Sequence, residues 1–284
     1  MTPLGVGAVL GAVLSILAFS RRRERSRRVH LQLLLALASF GLLWFATSSS
    51  FAHEGMMNLP KHMIGHILVM FIVPIGIVGS GFFRSLWWLL DVRTRRRVLR
   101  WWFVERTWHA PRWLVHPLTA GLVLNVVMVT AHTPPRIFDF MMIHTWGMDW
   151  LMEPAFFLSG LFFFHFLVPS PPRRMRTPVR FQLVMLLATV AEMFFLAMAM
   201  SIFSKTSWYW VLSPSSAMPY MPGMATTAKE AFSQQQLAAG ILWICGDFWA
   251  GPLLVYVVLR GVKKEGSLMA LLERQASRLS GAPV

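Results

Sequence analysis

The stretch His62-Met63-Ile64-Gly65-His66 carries two imidazoles four residues apart. On a helix, positions i and i+4 share one face, so both rings can address a single metal ion. Met70 continues that face a turn deeper. Met63 stands where a zinc peptidase of the His-Glu-x-x-His type has its glutamate, so the general base for peptide hydrolysis is missing. Two uses of the pair remain: metal ligation, or helix packing with the rings satisfied by neighbouring carbonyls.

Further candidate ligands flank this pair. His132 stands in His132-Thr133-Pro134-Pro135, and His144 precedes an apolar run containing Asp149 and Glu153, again spaced i, i+4. A carboxylate inside an apolar run is costly unless it meets a partner or a cavity. For Glu153 a metal ion, or a His bound to one, would meet that cost, and an interhelical hydrogen bond is the competing reading. His53 is followed by Met56 and Met57. Met218, Met221 and Met224 recur at intervals of three among Pro and Gly, which is no buried helical stripe. Thioethers select Cu(I), so these Met groups read as copper-gathering loops, or else as loops packed on a membrane surface. Glu192, Cys245 and Asp247 fall near the middle of apolar runs: the carboxylates as candidate functional groups, the lone Cys as a small hydrophobe. A single Cys excludes an internal disulfide and every Cys-pair metal motif. Phosphate-binding Gly loops, serine nucleophile elbows and Cys-x-x-Cys-His haem attachment are all absent, and no enzymatic chemistry is expected.

The elements that would position these groups are membrane helices. Of the 284 residues 56% are hydrophobic and 14% charged, against about 25% charged in a soluble chain. Seven apolar segments, at about 3–19, 31–50, 62–83, 113–131, 147–168, 180–203 and 236–259, approach the roughly 20 residues that a spanning helix needs. All but four of the 27 Lys and Arg fall in alternate connections: six in 20–30, eight in 84–112, four in 173–180 and five from Arg260 onward. Basic loops stay cytoplasmic, so the pattern predicts an all-α bundle of seven spans with the N-terminus outside and the C-terminus inside. The first run precedes Arg21, Arg22 and Arg23, the reverse of a cleavable signal peptide, and reads as a span. The chain is expected to be one integral membrane domain, 1–284, with a basic cytoplasmic tail from about 260. The net charge of +15 then points to anionic headgroups and not to nucleic acid. His53, His62, His66, His132 and His144 all map to the outer side.

From about residue 51 to 259 the order and spacing of these segments resemble the CtaG family of caa3-type cytochrome c oxidase assembly factors. The likeness is carried by His62-Met63 with His66 ahead of Pro74 and Gly79, by His132-Thr133-Pro134 before His144, and by Gln235-Gln236-Leu237-Ala238-Ala239-Gly240-Ile241-Leu242-Trp243. The His-Met-x-x-His core carries over to His62, Met63 and His66, and the last motif to Gln235, Gly240 and Trp243. The acid that precedes the Gln in the family pattern is missing here, where Ser233-Gln234 stands. The resemblance implies a bacterial cell-membrane protein whose partner is a haem–copper oxidase and whose cargo is copper.

These readings combine into one expectation. Copper, as Cu(I), binds on the extracytoplasmic face through His62, His66 and His132, with His53 or His144 completing the set. Met63 and Glu153 stand close by, and Met56, Met57, Met218, Met221 and Met224 gather or hand over the ion. An oxidase subunit or a periplasmic copper carrier is the docking partner, and the site is complete in one chain or shared across a homodimer. The rival expectations are a b-type haem protein moving electrons across the membrane and a metal-free structural assembly chaperone. A transporter would need an internal inverted repeat, which the segments do not show.

Overall fold

The structure is a computed structural model. It describes residues 2–22, 26–55, 58–98, 100, 116–133, 137, 139–141, 144–168, 177–209, 225, 227–265, 269 and 273, and every regular element among them is helical. Helix α1 is Pro3–Ser20 and α2 is Arg27–Ser48. Thr2 caps α1 by accepting from the Gly5 amide at 3.1 Å, and its hydroxyl lies 3.1 Å from that of Ser48 at the far end of α2. The two helices are therefore antiparallel neighbours. The short α3, Ser50–Gly55, follows, and α4 runs from Leu59 to Gly79. Gly81, with φ of 71°, reverses the chain in a left-handed conformation that suits a residue without Cβ, and α5, Phe82–Leu89, follows. Helices α6 (Pro117–His132), α7 (Met148–Leu167), α8 (Val179–Phe203) and α9 (Ala228–Glu265) complete the bundle.

Among the described residues, six helices, α1, α2, α4, α7, α8 and α9, are long and apolar enough to cross a membrane. The fourth apolar segment gives only the 16-residue α6, roughly 24 Å at 1.5 Å per residue against about 30 Å of hydrocarbon. It starts where Pro117 fixes the first helical position and the His116 ring caps the Leu118 amide. The last segment is longer than its apolar core suggests: α9 has 38 residues because polar, helix-favouring flanks extend it at both ends.

Among the described residues, three helices contain a π-helical turn, at Leu68–Ile72 in α4, Met148–Met152 in α7 and Ala199–Phe203 in α8. The first two sit directly before Pro74 and Pro154. Proline has no N–H to give to the carbonyl four residues back, so the regular ladder must break at that point. The Met70 carbonyl that Pro74 leaves free packs against α7 at Gly160, where an added Cβ would fall 2.1 Å from that oxygen and 2.9 Å from Pro74 Cγ. Only the missing side chain lets α4 and α7 approach this closely, which favours weak Cα–H···O contact between the two backbones.

The interior is apolar and aromatic. Trp249 of α9 stacks on Phe71 of α4 at 4.6 Å and meets Phe164 of α7 edge-on at 5.6 Å. The outside is apolar as well: Leu122 is 63%, Phe195 65% and Phe248 74% exposed. Faces this greasy suit lipid and not water.

Candidate metal centre

The site lies at the end of the bundle where α4 begins and α6 ends. Asn58 caps α4 by accepting from the Lys61 amide at 3.1 Å, and Pro60 holds the first turn. This fixes His62 one turn into the helix and His66 one turn further. Their ring centroids stand 4.1 Å apart at 63°, so the i, i+4 pair does share a face. Both residues are buried, as is His132.

His132 is the last residue of α6, and its Nδ1 lies 2.7 Å from the Met128 carbonyl. A carbonyl only accepts, so Nδ1 carries the proton and Nε2 is left with its lone pair. The His132 ring centroid is 6.0 Å from that of His66, the planes nearly perpendicular. Phe156 of α7 forms a floor beneath both, 4.5 Å from His66 and 6.4 Å from His132. Glu153, one turn earlier on α7, lines a cavity together with His62, His66, Met148 and Phe156 of the same region and with Phe51, Ala52 and Gly55 of α3. The cavity is about 30 Å³, enough for one ion or one water molecule and far too small for a macrocycle.

The polar accounting at this cavity is incomplete. Among the described residues, both ring nitrogens of His66 and one carboxylate oxygen of Glu153 are buried without a hydrogen-bond partner. The His62 ring is bonded to the Gly55 backbone. Burying unpaired polar atoms is unfavourable, and a cation satisfies imidazole lone pairs and a carboxylate together. As they stand, however, no three His, Cys, Asp or Glu side chains among the described residues converge in a metal-holding arrangement. Two rings are close, the third is set back, and Glu153 completes the lining.

Other candidates stand apart. Met63 is buried in the apolar core and does not line the cavity, because one residue along a helix turns about 100°. Met70 is likewise in the core; the π turn that starts at Leu68 shifts the face it would have continued. His53 is exposed on α3 beside Glu54. The hydrogen bond and charge of Lys61 hold the Glu54 carboxyl below the usual carboxylate range. His144 is exposed, stacked on Phe140 at 4.4 Å and bonded through Nδ1 to the Phe140 carbonyl at 3.0 Å. Met56, Met57, Met218, Met221 and Met224 lie outside the described residues.

Two participants were not readable as such. Phe156 gave no signal in a run of phenylalanines. Gln235 did stand in a recognisable motif, and its task is now visible. Fully buried in α9, it donates from Nε2 to the Met200 carbonyl at 2.7 Å and accepts from the Trp208 amide at 2.6 Å. It ties the π turn of α8, and the chain leaving it, to α9. No missing acid is required for that role.

No curated protein and no solved structure matches the chain. A family model does, over residues 13–264, which takes in every helix from the second half of α1 to the end of α9. The chain therefore belongs to the cytochrome c oxidase caa3 assembly factor family (CtaG).

Proposed function

We propose that this assembly factor binds Cu(I) in the cavity lined by α3, α4 and α7, beside His132 at the end of α6, and passes it to a haem–copper oxidase. The observation that carries the reading is His66, whose two buried ring nitrogens have no hydrogen-bond partner, beside a second imidazole 4.1 Å away. His62 and His66 supply nitrogen donors, and His132 presents Nε2 toward the same region because Met128 holds its other nitrogen. Glu153 compensates charge. One carboxylate balances a monovalent ion, whereas a divalent ion would leave net charge in a low-dielectric site, and that costs more. The ring separation supports a loose site, closing on the ion as it arrives, which suits transfer better than storage.

The same cavity is placed by this reading on the extracytoplasmic side. The support is the Lys and Arg distribution: the connections at the opposite end of the bundle hold nearly all of these residues. α6 then counts as a seventh, short crossing, tolerated by local thinning or tilt of its neighbours, with the N-terminus outside. Met56, Met57, Met218, Met221 and Met224 serve as the gathering loops, and an oxidase subunit or a periplasmic carrier as the docking partner. A homodimer is compatible with this scheme.

The test is a Cu(I) titration of the purified protein against a competing chromogenic chelator. One Cu(I) per chain is expected, lost in the His62→Ala/His66→Ala double variant while helicity is retained. Full retention of copper by the double variant overturns the assignment. One observation favours a second reading: with no three ligands converging among the described residues, the cluster would be part of a metal-free structural chaperone. No copper bound by the wild-type protein at any chelator strength would support that alternative.

A further inference from the structure

The cavity has a charged mouth that the binding chemistry does not use. α3 lies across it, contributing Phe51, Ala52 and Gly55 to the lining. Phe51 stacks on Phe45 of α2 at 4.9 Å, so α3 is anchored on its apolar side. Lys61 also lines the cavity, and its ammonium forms an ion pair with the Glu54 carboxylate of α3. A cation heading for His62 and His66 therefore passes an ammonium, which is unhelpful unless that charge is cancelled. The pair is solvent-exposed, 42% for Lys61 and 56% for Glu54. Exposed ion pairs hold structure only weakly, so a mechanical latch is not what this pair is suited to be. What an exposed pair does set is the local potential, and that governs the rate at which charged species arrive.

We propose that Glu54 is the charge-balancing residue of the cavity mouth, cancelling Lys61 so that cations and not anions are admitted to His62 and His66. The inference rests on the reading of that cavity as a cation site, and it concerns admission, not ligation. With Glu54 neutralised, the Lys61 ammonium is no longer cancelled and repels cations. With Lys61 neutralised, Glu54 draws them in. Neutralising both returns the mouth to its original net charge. The three variants thus have three different signs, which a merely structural role for the pair would not produce.

The experiment reads the mouth without copper. Ala52, a lining residue, is replaced by Cys in the full-length protein, with Cys245→Ala removing the native thiol. Its rates of modification by a cationic and an anionic methanethiosulfonate are then compared. The cation-to-anion ratio should fall roughly threefold to tenfold in Glu54→Gln and rise as much in Lys61→Gln. It should return to the starting value in the double variant, and both shifts should shrink in high salt. An unchanged ratio overturns the proposal, and so do single variants that move it in the same direction. A Cu(I) titration of the same proteins separates the two readings. Shifts in the ratio with no Cu(I) bound would leave charge selection standing and sink the copper assignment. Normal Cu(I) binding with an unchanged ratio would do the reverse.

Discussion

Gln182 and His66 are both buried polar side chains near the start of a membrane-length helix, at opposite ends of the bundle. At the Gln182 end both the nitrogen and the oxygen of the amide have partners. Nε2 donates to the Phe166 and Leu167 carbonyls at 2.9 and 3.1 Å, and Oε1 accepts from the Arg260 guanidinium. The two carbonyls end α7, where a helix has no partners of its own to offer them. One side chain thus joins α7, α8 and α9. At the His66 end the ring packs against the rings of His62 and Phe156, and among the described residues its nitrogens have no hydrogen-bond partner. A polar group that the fold has satisfied holds the fold together. One that the fold buries and leaves unsatisfied is held for something else.

The difference is tested most sharply by giving both positions the same apolar residue. Gln182→Leu strands two carbonyls and a guanidinium in an apolar setting and should lose on the order of 3 kcal/mol. His66→Leu strands nothing and removes an existing cost, so stability should hold or rise by up to about 1 kcal/mol. Equilibrium unfolding of both variants in detergent measures this, and equal losses would break the comparison. Cu(I) binding should show the reverse order, abolished in the His66 variant and retained in the other.

Next in size is the contact that joins the two halves of the site. Gly160→Ala drives a methyl into the Met70 carbonyl, which is backbone and cannot rotate away. A cost of about 2 kcal/mol is expected, with weakened Cu(I) binding, because α7 carries Glu153 and Phe156 and must move off α4. Gly240→Ala, where an added Cβ meets open space, should cost nothing and is the matching control. Loss of stability in Gly160→Ala without any change in copper affinity would mean that the close approach of α4 and α7 does not set the site.

How far this was legible in the residues follows from what is local and what is not. The His62–His66 pair was readable because i, i+4 geometry is internal to one helix, and the structure bears it out. His132 joins them only because α6 ends where α4 begins, which the alternating loops imply but spacing cannot measure. The same helical geometry that pairs His62 with His66 turns Met63 away, and a residue beside a ligand in sequence is not beside it in space. That Pro74 and Pro154 each follow a π turn, and that a freed carbonyl meets Gly160, depends on a neighbouring helix and is not written in the apolar runs. Seven apolar runs were plain. That one of them gives a helix of only 16 residues was hidden, because hydropathy does not report where a helix ends.

Asp91 supplies the smallest effect and isolates the variable in the comparison, since it is well paired like Gln182 but fully solvent-exposed. Its carboxylate accepts from the Arg93 and Thr94 amides at 2.9 and 3.2 Å, capping the helical stretch at 92–98. Hydrogen bonding from Thr94, foremost, and from Arg93 holds its pKa below the ordinary aspartate value. A depressed carboxyl stabilises the folded state fully above its unfolded pKa, near 4, and that contribution disappears as pH falls through the lower folded value. The stretch should therefore fray on acidification in the native chain. In Asp91→Asn, which caps without ionising, it should be insensitive to pH, as read from the amide shifts of residues 93–95. Loss of this cap should leave the rest of the bundle unchanged, because water can replace an exposed cap and cannot replace Gln182. If Asp91→Ala instead lowered global stability as much as Gln182→Leu, pairing alone would be what matters and burial would not.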